Sequence, residues 1–127
     1  MALIFVIDDE PLVLDLTCAV LRREGHEVRG FGDPVSGCDA VIAAIPKIEL
    51  LLTDTDMKPM SGFQVVTKIR KEHIDCPVIF ISGHHGFSAL ITDAFGRWAA
   101  IEKPFTAVTL RKTVNAVLRM SKRDEPR

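Results

Sequence analysis

The sequence has 127 residues, a formal net charge of −1, and 47% hydrophobic against 26% charged residues. This length and balance predict one globular domain, and a near-neutral charge does not favour a nucleic-acid-binding face, which needs clustered basic residues. The longest apolar run, Met1 to Ile7, is also far shorter than the ~20 residues of a transmembrane helix. We therefore expect a domain that contacts neither nucleic acid nor membrane.

Short apolar runs alternate along the chain with longer segments of helical periodicity. The runs predict strands over 3–7, 28–31, 48–53, 77–81 and 98–101. The longer segments predict helices over 12–24, 34–45, 63–73, 87–95 and 106–119. Pro11 suits the first turn of the first helix, and Gly25 suits its end. Five strand–helix units with apolar strands predict an α/β fold, a parallel sheet covered by helices on both faces.

Three cysteines, Cys18, Cys38 and Cys76, are an odd number without C-x-x-C spacing. This pattern does not favour a disulfide framework or a zinc site. We expect small buried apolar residues in a protein of the reducing cytoplasm.

Polar residues follow the predicted strands at the edge where such folds bind ligands, the carboxyl ends of the strands. They are Asp8, Asp9 and Glu10 after the first strand, Asp54 after the third, Ser82 after the fourth and Lys103 after the fifth. Adjacent carboxylates repel one another unless a cation neutralises them, and hard oxygen ligands suit Mg²⁺. One such aspartate alone is more often a helix or turn cap. Together with a lysine and a hydroxyl, the set indicates phosphoryl transfer to a carboxylate nucleophile.

Four stretches stand in a specific order and spacing: residues 6–10 (VIDDE), 51–62 (LLTDTDMKPMSG), 81–83 (ISG) and 102–105 (EKPF). With these stretches the sequence resembles the receiver domains of response regulators in two-component signalling, over essentially its whole length. The resemblance implies a doubly wound, flavodoxin-like (βα)5 sandwich with strand order 2-1-3-4-5. We expect the receiver domain to span residues 1–120 and a flexible tail to span 121–127.

The resemblance also implies the chemistry. Asp54 matches the phosphoacceptor, which attacks the phosphohistidine of a sensor histidine kinase or phosphotransfer protein. Asp9 matches a direct Mg²⁺ ligand, Asp8 a carboxylate that holds the ion through water, and Asp56 the position whose backbone carbonyl completes the shell. Lys103 and the cation are expected to keep the pKa of Asp54 low, so that the carboxylate is ionised.

Ser82 and Lys103 match the hydroxyl and the amine that contact the phosphoryl group. Pro104 matches a proline that is preceded by a cis peptide bond in the family, a geometry that X–Pro bonds reach at modest cost. Gly62 is expected to let the loop after Asp54 turn into the next helix. Such a domain is not a turnover enzyme, since it catalyses only the gain and loss of its own phosphoryl group.

The sequence departs from the family at the residue three before the lysine, where Ala100 replaces the usual aromatic residue. Either the aromatic read-out of the signal is absent or moved, or Ala100 is a small packing residue beside Trp98. Asp56 and His84 occupy variable positions near the expected attacking water, and we expect them to tune the lifetime of the phosphorylated state.

Two other functions remain open at this stage. Asp54-Thr55-Asp56 is a D-x-D after an apolar strand, as in aspartyl-phosphate phosphatases of the haloacid-dehalogenase kind. Alternatively, the chain is a receiver-like docking module that no longer accepts phosphate. For the receiver domain itself, the resemblance implies a downstream protein target or an output domain as partner. It also offers a surface for a second copy, made of the predicted helices 87–95 and 106–119 and the last strand.

Overall fold

The computed structural model describes residues 1–83 and 96–123, with side chains described up to residue 120. The strands are β1 (Leu3–Ile7), β2 (Glu27–Phe31), β3 (Leu50–Asp54), β4 (Val78–Ser82) and β5 (Trp98–Glu102). The described helices are α1 (Pro11–Arg23), α2 (Pro34–Ala43), α3 (Gly62–Lys71) and α4 (Ala107–Arg123). The helix predicted over 87–95 lies outside the described residues.

The five strands form one parallel sheet in the order β2-β1-β3-β4-β5. The predicted fold class and strand order are therefore confirmed. No described helix has both the length and the apolar character needed to cross a membrane.

Alternate residues of each central strand enter two separate cores, one on each face of the sheet. Phe5 and Ile7 of β1 pack with side chains from α2 and α3. Ile4 and Val6 of the same strand pack with side chains from α1 and α4. Because side chains alternate along a strand, a strand covered on both faces needs an uninterrupted apolar run, as β1 has. The three cysteines are free and buried in these cores, as expected.

Several element boundaries differ from the predicted ones by a few residues. β3 and β4 each continue to the polar residue that follows the apolar run, because Asp54 pairs with Ile81 and Ser82 pairs with Glu102 in the sheet. α2 ends at Ala43, two residues earlier than expected. α4 continues through Arg123, three residues into the segment predicted as a tail, and residues 124–127 lie outside the described part of the chain.

Candidate functional site

The sheet brings four of the predicted site residues to one edge. Asp54 ends β3, Asp8 follows β1 directly, Ser82 ends β4 and Lys103 follows β5. The pairs β1–β3, β3–β4 and β4–β5 are neighbours, so these chain segments lie side by side. The backbone N–H of Lys103 donates to the carbonyl of Ser82 over 2.7 Å, which fixes the start of the lysine to the end of β4.

Lys103 is the centre of the site. Its Nζ donates to Glu10 Oε1 over 2.6 Å and to Asp54 Oδ2 over 3.3 Å. It also lies 3.3 Å from Asp8 Oδ2, in an ion pair that lacks hydrogen-bond geometry. The side chains of Asp8 and Asp54 are 1% and 4% exposed and that of Lys103 is 14% exposed, whereas Glu10 is 59% exposed. One ammonium therefore serves three carboxylates, two of them buried.

Burial and the charges around Lys103 shift the pKa values of the site, and burial is the larger cause for both buried acids. Burial, reinforced by the charge of Asp8, raises the pKa of Asp54 to about 6, although Lys103 acts in the opposite direction. Burial likewise raises the pKa of Asp8. Burial lowers the pKa of Lys103, but its hydrogen bond to Glu10 and the charges of Asp54 and Asp8 outweigh burial and raise that pKa. Lys103 alone does not lower the pKa of Asp54 below its usual value, and the expectation that Lys103 and a cation together do so stays a prediction.

The carboxylate of Asp54 is oriented by the loop that follows it. The backbone N–H of Asp56 donates to Asp54 Oδ1 over 3.3 Å, while Oδ2 contacts Lys103. The hydroxyl of Thr53 donates to the backbone carbonyl of Asp54 over 3.0 Å. These contacts define different surroundings for the two carboxylate oxygens of Asp54.

Gly62 lies against the backbone of Asp54. A Cβ atom built on Gly62 would lie 2.2 Å from the carbonyl oxygen of Asp54 and 3.2 Å from the Cα of Thr55. The N–H of Gly62 donates to the carbonyl of Thr55 over 3.0 Å and closes the loop. Gly62 has no positive φ. The glycine thus allows the start of α3 to approach the end of β3 closely, because a side chain at position 62 would meet the backbone of Asp54.

Asp9 and Asp56 lie beside the buried cluster and do not belong to it. Among the described residues, the carboxylates that gather within 4.8 Å of one another are those of Asp8, Glu10 and Asp54. Asp9 is exposed and lines a cavity of about 530 Å³ with the loop after Asp54, including Asp56. Glu10 is one of the acids that follow the first strand in the sequence, but the resemblance to the family assigns it no role.

The donor set fits a divalent cation. Asp8 Oδ2 is buried and accepts no hydrogen bond from any described residue. Clustered carboxylate oxygens are the ligands that Mg²⁺ prefers, and a divalent charge would favour the ionised forms of Asp8 and Asp54, whose pKa values are raised mainly by burial. The space between Asp8, Glu10 and Asp54 is already taken by Lys103 Nζ. The neighbouring cavity, which Asp9 and Asp56 line, has room for an ion with its waters.

Other predicted residues are placed as follows. Ser82 is fully buried, and the Lys103–Pro104 peptide bond is cis. Ala100 is exposed on β5, while Trp98 packs against the core beside α2 and α3. Position 100 is therefore not a packing position beside Trp98. His84 lies outside the described residues.

Comparisons with known proteins agree with this geometry. Residues 4–115 match the family model of the response regulator receiver domain. The transcriptional regulatory protein YvrH of Bacillus subtilis is 32% identical over 93% of this chain and 49% of its own length. The transcriptional regulatory protein SpaR, also of Bacillus subtilis, is 33% identical over 98% of this chain and 56% of its own length. The chain thus spans about half the length of these relatives.

Solved structures share the overall fold. A response regulator receiver domain protein from Clostridium thermocellum has a TM-score of 0.84 and 28% identity, covering 96% of this chain and 98% of the other. A CheY-like receiver domain protein from Methanospirillum hungatei has a TM-score of 0.88 and covers 98% of this chain and 99% of the other. Its identity of 22% supports the shared fold alone.

Proposed function

Because this chain belongs to the response regulator receiver domain family of two-component systems, we propose that Asp54 accepts a phosphoryl group from a phosphohistidine in a Mg²⁺-dependent reaction. The observation that carries the proposal is the position of Asp54, a buried carboxylate 3.3 Å from the Nζ of Lys103 and beside a second buried acid, Asp8. A nucleophile for phosphoryl transfer needs this kind of setting, since the charge on the transferred group must be offset.

The reaction forms one bond and breaks another. A carboxylate oxygen of Asp54 attacks phosphorus, the P–N bond of the phosphohistidine breaks, and the imidazole nitrogen keeps the electron pair and takes up a proton. With a pKa of about 6, Asp54 is mostly ionised at neutral pH and needs no general base. Lys103 offsets charge on the phosphoryl oxygens, and the hydroxyl of Ser82 donates to one of them.

Mg²⁺ supplies charge neutralisation and a fixed orientation of the phosphoryl oxygens when it is bound. We assign its ligands to Asp9, Asp54 and the backbone carbonyl of Asp56, with Asp8 holding it through water. The cavity lined by Asp9 and Asp56 and the buried, hydrogen-bond-free oxygen of Asp8 support this assignment. We place the reaction in the cytoplasm, where three free cysteines stay reduced.

An apolar groove next to the site suits the phosphoryl donor. The groove encloses about 370 Å³, and its lining includes Val13, Leu16 and Phe105 together with Lys103. Leu12, on the same helix, is 84% exposed. Because the groove reaches Lys103, a kinase or phosphotransfer protein with an apolar surface beside its phosphohistidine would bind here and present the phosphorus to Asp54.

The output is proposed to pass to another domain or protein. YvrH and SpaR are transcriptional regulators about twice as long as this chain, so an output domain or a separate target is the expected recipient. The surface around β5 and α4 is the proposed face for that partner or for a second copy. With Ala100 exposed on β5, the signal leaves without an aromatic side chain at that position. Asp56, at the cavity, is proposed to tune the lifetime of the aspartyl phosphate, as is His84.

The test is incubation with acetyl phosphate and Mg²⁺, followed by intact mass measurement. We expect one phosphoryl group per chain, none after Asp54→Asn substitution and none when the cation is chelated. An Asp75→Asn variant, which changes an exposed acid near the opposite end of the sheet, should behave as the native chain does. Absence of any added phosphate would favour the docking module, and turnover of a general phosphomonoester would favour the phosphatase.

A further inference from the structure

Glu10 makes the shortest of the three carboxylate contacts with Lys103 and has no part in the proposed reaction. Its Oε1 lies 2.6 Å from Lys103 Nζ, against 3.3 Å for both Asp8 and Asp54. Glu10 is also the N-cap residue of α1, yet its side chain accepts no hydrogen bond from the helix. Ser, Thr, Asp and Asn are the usual N-cap residues because their short side chains reach the first amides of the helix. The longer glutamate reaches Lys103 instead.

A phosphoryl group on Asp54 would compete with Glu10 for the ammonium group of Lys103. This ammonium has three N–H donors, and two of them already donate to Glu10 and Asp54. A phosphoryl group adds several anionic oxygens on the Asp54 side of the amine. These oxygens draw the amine toward Asp54 and thereby weaken its contact with Glu10.

Glu10 is the partner that can leave at least cost. Asp8 is buried, and its Oδ1 accepts the backbone N–H of Glu10 over 2.9 Å. Asp54 is the acceptor itself and is buried as well. The side chain of Glu10 is 59% exposed, so it can turn into water and stay solvated. Exposed ion pairs contribute little to stability, and breaking this one leaves no buried charge unpaired.

We propose that Glu10 is a competing anion, which occupies Lys103 before phosphorylation, repels incoming anionic phosphodonors and leaves Lys103 when Asp54 is phosphorylated. This inference rests on the proposed function and adds a positioning residue to it. Glu10 sets how readily Lys103 becomes available, and it slows phosphorylation by small anionic donors, since its carboxylate lies within 4.8 Å of the acceptor carboxylate.

The kinetic test compares Glu10→Gln with the native chain and with Asp15→Asn. In each reaction Asp54 attacks acetyl phosphate, the bond from phosphorus to the acetyl oxygen breaks, and acetate leaves with the electron pair. Asp15 is an exposed acid on the same helix, so its variant has the same change in net charge. We expect Glu10→Gln to be phosphorylated about three- to tenfold faster and Asp15→Asn to stay within about twofold of native. The difference should shrink as ionic strength rises, because salt screens exposed charges.

A structural readout of the native chain is independent of rate. In a crystal structure with Mg²⁺ and beryllium trifluoride, a phosphoryl mimic, Glu10 should lie more than about 4 Å from Lys103 Nζ, while Lys103 contacts the fluorides. An unchanged or slower rate for Glu10→Gln, or a retained 2.6 Å contact in this complex, overturns the inference. If neither the native chain nor Glu10→Gln gains phosphate, the proposed function itself is wrong and the inference falls with it.

Discussion

Substituting Gly62 by alanine tests whether the acceptor depends on a backbone contact. The new Cβ would start 2.2 Å from the carbonyl oxygen of Asp54, where ordinary contact begins at 3.4 Å. The two backbone segments must therefore separate by about 1.2 Å. The atoms that the new Cβ would meet belong to the backbone of Asp54 and Thr55, so no rotation of a side chain can relieve the strain.

The expected cost follows from this geometry. Overpacking of this kind costs about 1–3 kcal/mol, and a contact between backbone segments belongs at the upper end. Alanine recovers up to about 1 kcal/mol over glycine in a helix, and Gly62 is the first residue of α3. We expect a net loss of about 2 kcal/mol in the free energy of unfolding, which lowers the melting temperature by roughly 4–10 °C.

Urea and thermal unfolding measure this loss, with Gly32→Ala as the matched control. A Cβ on Gly32 meets no atom within 4 Å, so that variant should stay within about 0.5 kcal/mol of native. Phosphorylation of Gly62→Ala by acetyl phosphate should also slow by about tenfold to a hundredfold, since a shift of about 1 Å misplaces the Asp54 carboxylate. Native stability and a native rate for Gly62→Ala would refute the steric argument.

Three further predictions concern the cation, a histidine and a helix cap. Mg²⁺ at ten times its dissociation constant should raise the free energy of unfolding of the native chain by about 1.4 kcal/mol, which a rise in melting temperature would show. The Asp54→Asn variant should lose most of this gain. An unchanged melting temperature of the native chain in Mg²⁺ would contradict the cation site. His26 accepts the N–H of Ala2 through Nδ1 over 3.0 Å, and burial lowers its pKa below 6.5. The native state thus favours the neutral ring, so the stability it contributes is complete above pH 6.5 and is lost as the pH falls below that value; His26→Gln should flatten the pH dependence measured by urea unfolding between pH 7.5 and 5.5. Ser61→Ala removes the capping box with Gln64 and should lower the free energy of unfolding by about 1 kcal/mol. Adding Gln64→Ala to this variant should lower it little further if the two side chain–backbone hydrogen bonds of the box act as a unit.

The sequence predicts the sheet and the convergence of the site because both depend on local patterns. The apolar run of β1 predicts a strand covered on two faces, and polar residues after such runs predict the binding edge. Strand ends are less predictable, since Asp54 and Ser82 interrupt the apolar pattern and yet continue the backbone pairing.

Other features of the site depend on distances that no local pattern encodes. The contact of Glu10 with Lys103 joins residues 93 positions apart, and its length depends on where the end of β5 lies relative to the start of α1. The role of Gly62 follows from the approach of α3 to the end of β3, which a turn motif cannot show. The raised pKa of Asp54 depends on burial, and the sequence alone does not show how far burial outweighs Lys103.

The amine of Lys103 comes from a part of the chain 49 positions from Asp54 and 93 positions from Glu10. No partly assembled sheet can reproduce that arrangement, because β1, β3, β4 and β5 must all be paired before the groups meet. The fraction of molecules that take up phosphate in a preparation should therefore never exceed the fraction that has completed folding. Label incorporation thereby sets a lower bound on the native fraction without a spectroscopic probe.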